Sequence, residues 1–281
     1  MILDKIAEAT VKRVEKAKER QIIEILQEKI YFGASLKRFN NRSPFSFEKA
    51  LRNIRTENTT TEETGRSNMH FICEVKKASP SKGVISHDFP YLDIARDYVL
   101  AGASAISVLT EPEFFLGSDR YLNEISKAVD IPVLRKDFIL DEYQIYESKI
   151  IGADAVLLIG SLLEADKLKR FIKICDELGM SALVEAHTAA EIEKALEAES
   201  RIIGVNNRNL QTFEVDLENC IRLRDLVPGD IIYVAESGIR TREDIKLLES
   251  AGIDAVLIGE VFMRSENRKE LLSAMRTGLE A

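Results

Sequence analysis

One short pattern recurs three times along this chain and restricts its architecture more than any other feature. Ala101-Gly-Ala-Ser-Ala-Ile-Ser-Val-Leu109, Ile151-Gly-Ala-Asp-Ala-Val-Leu-Leu-Ile159 and Ala251-Gly-Ile-Asp-Ala-Val-Leu-Ile-Gly259 are near copies. In each, a glycine (Gly102, Gly152, Gly252) ends an amphipathic helical stretch, where a left-handed residue is favoured, and a short apolar run follows. Similar runs stand at 71–75, 131–134, 181–184, 202–205 and 231–235. The chain therefore reads as eight short strands whose starts lie roughly 21 to 34 residues apart. Continuous apolar strands, rather than alternating ones, belong to a parallel sheet buried on both faces. The stretches between them carry helical periodicity, as in 164–178 (Leu168, Phe171, Ile172, Cys175) and 243–251 (Ile245, Leu247, Leu248). Eight strand–helix units in about 210 residues predict a (β/α)8 TIM barrel.

Some 70 residues precede the first strand. Residues 1–29 read as one helix, with Ile2, Leu3, Ile6, Val14, Ile22, Ile25 and Leu26 among its apolar positions. Ser46–Leu51 reads as a second, with Ser46 as its N-cap. Residues 53–68 are polar, rich in Thr and Glu, and read as a mobile loop at the barrel end opposite the catalytic face. The expected organisation is one domain over 1–281: a helical extension (1–52), the polar loop (53–68) and the barrel (69–281).

Composition removes several classes of function. With 39 Lys and Arg against 47 Asp and Glu, the net charge of −8 is wrong for general nucleic-acid binding. No apolar run approaches the ~20 residues of a membrane span, and the charged N-terminus has no signal-peptide character. The three cysteines (Cys73, Cys175, Cys220) are unpaired by spacing and read as reduced thiols of a cytoplasmic protein. The three histidines show no metal-ligand spacing, and neither a GxGxxG nor a P-loop motif is present. Net charge leaves monomer and weak homodimer both open.

Barrel chemistry sits at the C-terminal ends of the strands. Here those ends bring two lysines, Lys76 and Lys136, toward three glutamates, Glu74, Glu185 and Glu236, with Asn206 and Ser237 as neutral hydrogen-bonding groups. A period of two puts Glu74 and Lys76 on one face. Any one of these residues could be a solvated charge at a strand exit. Six such strand ends together imply mutual ion pairs around a polar ligand, because unpaired buried charges are costly. A lysine whose pKa is lowered by burial near other cations would suit acid or Schiff-base work. Glycines after the last two strands, Gly238 and Gly259, would let backbone amides approach a phosphate, although a lone glycine there is often only a turn. Lys77 and Lys82, in the loop after strand one, read first as surface charges and alternatively as parts of a closing lid.

At these residues the chain resembles the indole-3-glycerol-phosphate synthase family. The resemblance is carried by Glu74-Val-Lys-Lys-Ala-Ser-Pro-Ser-Lys-Gly83, Leu109-Thr-Glu-Pro-Glu-Phe-Phe-Leu-Gly-Ser118, Leu134-Arg-Lys-Asp-Phe138, Leu183-Val-Glu-Ala186, Gly204-Val-Asn-Asn-Arg-Asn-Leu210 and Ala235-Glu-Ser-Gly-Ile239. It implies an enzyme of tryptophan biosynthesis that closes an indole ring on a small sugar-phosphate substrate, with loss of carbon dioxide and water and without cofactor or metal. It further implies Lys136 as general acid, Glu185 as general base, and Lys76, held by Glu74, at the substrate carboxylate. Asn206 and Arg208 would orient the substrate, with Glu236 and Ser237 as further pocket groups, and Phe115, Phe138, Leu157 and Leu210 would wall the aromatic ring. The phosphate would rest on backbone around Gly238, Ile258, Gly259 and Glu260, with Ser79 and Ser81 contributing from the first loop. Two features depart from the family pattern: the length of 53–68, and Val261 where a small residue is more usual. Ending at 281, the chain is expected to lack the isomerase fused to some relatives. The competing readings are a barrel using a Cys–Asp pair, as in phosphoribosylanthranilate isomerase, a Schiff-base aldolase at Lys136, and a non-catalytic binding barrel.

Overall fold

The computed structural model describes residues 2–35, 42–52, 69–209 and 212–277. The polar stretch 53–68 and Leu210 lie outside the described residues. Eight parallel strands close into a barrel: β1 (His70–Val75), β2 (Ala105–Leu109), β3 (Val133–Lys136), β4 (Ala155–Ile159), β5 (Ser181–Ala186), β6 (Ile202–Asn206), β7 (Ile232–Glu236) and β8 (Ala255–Ile258). Each pairs with its sequence neighbours, and β1 joins β8 (Phe71 beside Val256) to complete the ring.

Alternation along each strand divides the core in two. In β1, Phe71, Cys73 and Val75 point outward to the helices, whereas Ile72 points inward with Leu134, Leu157, Leu183, Val234 and Leu257. Both faces are buried, which is why these strands are apolar almost throughout. Helices between the strands are α4 (Tyr91–Leu100), α5 (Asp119–Ala128), α6 (Glu142–Ile151), α7 (Ala165–Glu177), α8 (Ala189–Glu197), α9 (Glu218–Leu223) and α10 (Arg242–Ser250), and α11 (Glu260–Arg264) and α12 (Arg268–Thr277) follow β8. In α7 all four predicted stripe residues are buried. In α10 Ile245 and Leu248 are buried but Leu247 is exposed, because one turn cannot aim adjacent residues 247 and 248 at the same face. Gly102, Gly152 and Gly252 take φ of 86°, 96° and 73°, the left-handed conformation expected of them.

The N-terminal region departs from the single predicted helix. It forms α1 (Ile2–Arg20) and α2 (Ile23–Ser35), interrupted at Gln21 and Ile22. The apolar residues serve two targets that one straight helix could not reach. Ile2, Leu3 and Ile6 face the barrel mouth, while Val14 and Leu26 pack with Tyr143 on α6. The third helix, α3 (Ser46–Leu51), lies where expected but without the expected cap. Phe45 occupies the N-cap position at φ 58°, and the Ser46 hydroxyl donates instead to Asp154 (3.0 Å). Phe47 and Leu51 of α3 pack onto the inward residues at the strand starts, Ala105, Ala155, Ile202 and Ala255, and so plug the bottom of the barrel. With one end sealed, the cavity opens at the other.

Candidate active site

That cavity, of about 390 Å³, sits at the C-terminal ends of the strands and receives side chains from all the predicted strand ends. The last inward-facing positions of β1, β3, β5 and β7 are Glu74, Lys136, Glu185 and Glu236, and β6 adds Asn206. Lys76, just past β1, turns back to pair with Glu74. Lys136 pairs with Glu236 and lies 3.4 Å from Oε2 of Glu185. The predicted lysine–glutamate set is therefore one cluster of alternating charge.

The charges decide the protonation states. Burial works against the Lys136 cation, but the carboxylates of Glu236, Glu185 and Glu74 outweigh it and hold its pKa above the ordinary lysine value. This corrects the expectation of a lysine depressed by neighbouring cations: its neighbours are anions. Lys136 stays protonated at neutral pH, which suits an acid and disfavours the free amine that a Schiff base requires. Glu185 moves the other way. Burial would raise it, yet Lys136, His187 and a hydrogen bond from Asn206 keep it below the usual carboxylate value. Glu236 is pushed up, mainly by burial and further by the charge of Glu185, against the pull of Lys136. Its Oε1 has no hydrogen-bond partner among the described residues. An ionised base and a protonated acid thus stand side by side.

Two glycines make room for this cluster. A Cβ on Gly204 in β6 would come within 2.2 Å of Glu236 Oε1, and one on Gly259 within 2.4 Å of Glu74 Oε1. Gly204 has no side chain to take part in catalysis; a glycine inside a strand marks a close approach of another group. Gly204→Ala should displace Glu236 and with it Lys136. The expected result is a loss of turnover of up to ~10²-fold, with about 1–3 kcal/mol lost in stability from overpacking. Steady-state rates and a thermal melt of the same preparation check both parts.

The aromatic wall is built with equal care. Phe115 and Phe138 face each other with ring centroids 6.1 Å apart, and Leu157 lines the cavity beside them. Glu111, itself buried, accepts the backbone N–H groups of Glu113, Phe114 and Phe115 (2.9, 2.7 and 3.0 Å) and so fixes the loop that carries Phe115. Asp137 does the same for β3. It accepts from Thr110 (2.7 Å), Arg13 (2.7 Å) and the Phe138 N–H (2.8 Å), anchoring the residues on either side of it. Neither carboxylate was among the predicted site residues. Ile2, Leu3 and Ile6 of α1 also line the cavity, a contribution unseen in the sequence because the other lining residues all lie far along the chain.

At the far end, Ser237 and Gly238 have φ of 67° and 86°, a tight left-handed turn. Ile258, Gly259 and Glu260 border the same region with Ser79 and Ser81, whose hydroxyl oxygens are 3.5 Å apart. Arg208 lies here too, its guanidinium 3.9 Å from Glu260 and donating to the Phe213 carbonyl (3.2 Å). Lys82 is 3.6 Å from Glu260, so it is tied across the cavity rather than simply solvated. The first loop forms a small hairpin, Ala78–Ser79 with Gly83–Val84, bonded from Ala78 N–H to the Phe115 carbonyl (3.2 Å). Cys73 points outward to the helices, away from the cavity, and burial raises its pKa; no cysteine lines the cavity among the described residues, so isomerase-type Cys–Asp chemistry has no thiol there.

The sequence pattern of the indole-3-glycerol phosphate synthase family matches residues 3–275. The chain belongs to that family. Relatives of the same name include one from Ruminiclostridium cellulolyticum, 56% identical over 98% of this chain and 99% of the relative. Another, from Lachnoclostridium phytofermentans, is 50% identical over 99% of both. Among solved structures, KGPDC from Streptococcus mutans superposes with a TM-score of 0.57 at 13% identity, covering 74% of this chain and 95% of that one. A thiamine phosphate pyrophosphorylase from Pyrococcus furiosus gives 0.57 at 15% identity, covering 74% and 94%. At such identities these two show the barrel alone. Family membership makes the chain a carboxy-lyase of tryptophan biosynthesis. No helix among the described residues is long and apolar enough to cross a membrane.

Proposed function

We propose that the chain converts 1-(2-carboxyphenylamino)-1-deoxyribulose 5-phosphate to indole-3-glycerol phosphate, in the cytoplasm and as a monomer or weak homodimer. The observation that carries this reading is a protonated lysine, Lys136, in contact with an ionised glutamate, Glu185, in a cavity with an aromatic wall at one side and a left-handed turn at the other. The aromatic ring lies against the wall formed by Phe115, Phe138 and Leu157. The phosphate lies on the amides near Gly238, Gly259 and Glu260, with Ser79 and Ser81 beside it. Val261 offers no hydroxyl there, which leaves that contact to the backbone.

The ring carbon bearing the carboxylate attacks the ribulose ketone, and Lys136 gives its proton to the carbonyl oxygen as the carbon–carbon bond forms. Lys76, oriented by Glu74, faces the carboxylate until the carbon–carbon bond to it breaks and its electron pair restores the aromatic ring. The new hydroxyl then takes a second proton from the lysine pair and leaves as water, pushed by the ring nitrogen. Glu185 removes the proton from the adjacent carbon to complete the indole. Two protons are given, one is taken, and one is drawn from solvent; no electrons are gained or lost overall. Asn206 and Arg208 orient the chain of the sugar, while Glu236 and Ser237 shape the cluster.

The chain contains no tryptophan, so indole emission excited beyond tyrosine absorption can come only from product. Adding the substrate to purified protein should give a catalytic rise in that emission. A flat trace from folded protein that still binds the substrate would overturn the reading in favour of a non-catalytic barrel.

A further inference from the structure

Directly behind the proposed base lies a histidine that the ring-closing scheme does not use. The His187 side chain is 16% exposed and fits between two carboxylates. Its Nε2 is 3.8 Å from Glu185 Oε1, the oxygen that Lys136 does not engage, and its Nδ1 is 3.5 Å from Glu191 Oε2 on α8. The backbone is fixed from both sides: the His187 N–H donates to Glu191 (2.7 Å), and Asn219 Nδ2 on α9 donates to the His187 carbonyl (3.2 Å). Nε2 is buried and has no hydrogen-bond partner among the described residues. A buried ring nitrogen aimed at a carboxylate oxygen just beyond hydrogen-bond range is the arrangement that tightens when substrate is bound.

We infer that His187 is a positioning residue for Glu185: as an imidazolium braced by Glu191, it holds Oε1 so that Oε2 faces Lys136 and the substrate, and keeps the carboxylate ionised. The inference rests on the ring-closing reading above. A base oriented by a second residue, itself oriented by a third, is a general device for fixing a proton acceptor. The charges around the ring agree. Burial opposes protonation of His187, but the hydrogen bond to Glu191 and the charges of Glu185, Glu191 and Glu236 outweigh it and raise its pKa. Lys136 is the cation on the other side of Glu185, and Lys194 on α8 engages the carbonyls of Gly160 and Leu163 (2.9 and 3.1 Å) rather than Glu191. The sign follows. His187 is charged at low pH, where Glu185 is at risk of protonation, so its help falls on the acid side of the activity profile. At high pH Glu185 is ionised without it.

The test is His187→Gln, which keeps an amide donor without the charge, together with His187→Ala. The acid limb of kcat against pH should move up by about one unit in both, so that activity below the limb falls about tenfold for that shift, while KM changes little. Glutamine should recover more of the high-pH plateau than alanine. A limb that stays in place, with kcat lowered equally at every pH, would overturn the proposal and leave His187 a packing residue. A second measurement needs no turnover and survives poor folding of either variant. In the full-length protein, the NMR titration midpoint of the His187 ring should fall in Glu185→Gln; an unchanged midpoint would sink the idea. Coupling in that titration combined with no indole emission from the unsubstituted protein would sink the ring-closing reading while leaving the His187–Glu185 contact standing.

Discussion

Lys136→Ala should lower turnover by about 10²–10⁴-fold, the range expected when a positioned acid is removed. The reason is larger than the lost proton. Lys136 is the counter-charge to Glu236, 1% exposed, and to Glu185, 3% exposed. Without it two buried carboxylates face each other, and at least one takes up a proton. The variant therefore loses its acid and weakens its base together. Its residual activity should rise toward higher pH, where Glu185 ionises again, whereas loss of the acid alone would leave the acid limb in place. Removing one partner of a buried pair also costs about 3–5 kcal/mol, so a thermal melt must accompany the rates. Near-wild-type turnover in a folded variant would end the assignment of Lys136 as acid.

Glu185→Gln is expected to be as damaging, at about 10²–10⁴-fold in kcat, with a small change in KM. Glutamine has nearly the same shape and can still meet Asn206 and Lys136, but it cannot accept the proton released as the indole forms. This separates the roles of the two carboxylates beside Lys136. Glu185 is held ionised, whereas burial pushes Glu236 toward its neutral form. A pre-steady-state trace should show carbon dioxide released in the first turnover before the block, since decarboxylation precedes that deprotonation. A variant retaining more than about a tenth of wild-type kcat, against the ~10²-fold minimum of a positioned base, would move the role to Glu236.

The barrel was readable because parallel strands buried on two sides must be apolar, and three near-identical glycine-led runs exposed their spacing. The site was readable for a related reason. Where a strand leaves the core, the period of two tells which charged residue faces inward, and Glu74, Lys136, Glu185 and Glu236 all do. What escaped were features that depend on distant partners. Arg13 reaches Asp137 across 124 positions. Gly204 matters only because Glu236, on the neighbouring strand, needs the space of its missing Cβ. His187 follows β5 as one polar residue among several, and nothing local marks it as the neighbour of Glu185. The break between α1 and α2 escaped because neither Gly nor Pro interrupts the helical pattern there; the two apolar groups diverge only in space.

The first helix gives this enzyme two thresholds of failure. Ile2, Leu3 and Ile6 form part of the cavity wall, yet α1 makes no strand pairing with the barrel. It is held from the side by Arg13 to Asp137, Lys18 to Asp141 (2.7 Å) and the Tyr143 hydroxyl to the Ala17 carbonyl (3.3 Å). Such an element can open at a free energy below that of global unfolding. When it does, its side of the cavity floods, the Lys136 cluster meets bulk water, and Asp137 loses the Arg13 bond, one of those that set the residues around it. Mild heat or denaturant should thus silence catalysis in a population whose eight-stranded frame is still closed, and cooling should restore it without refolding the barrel.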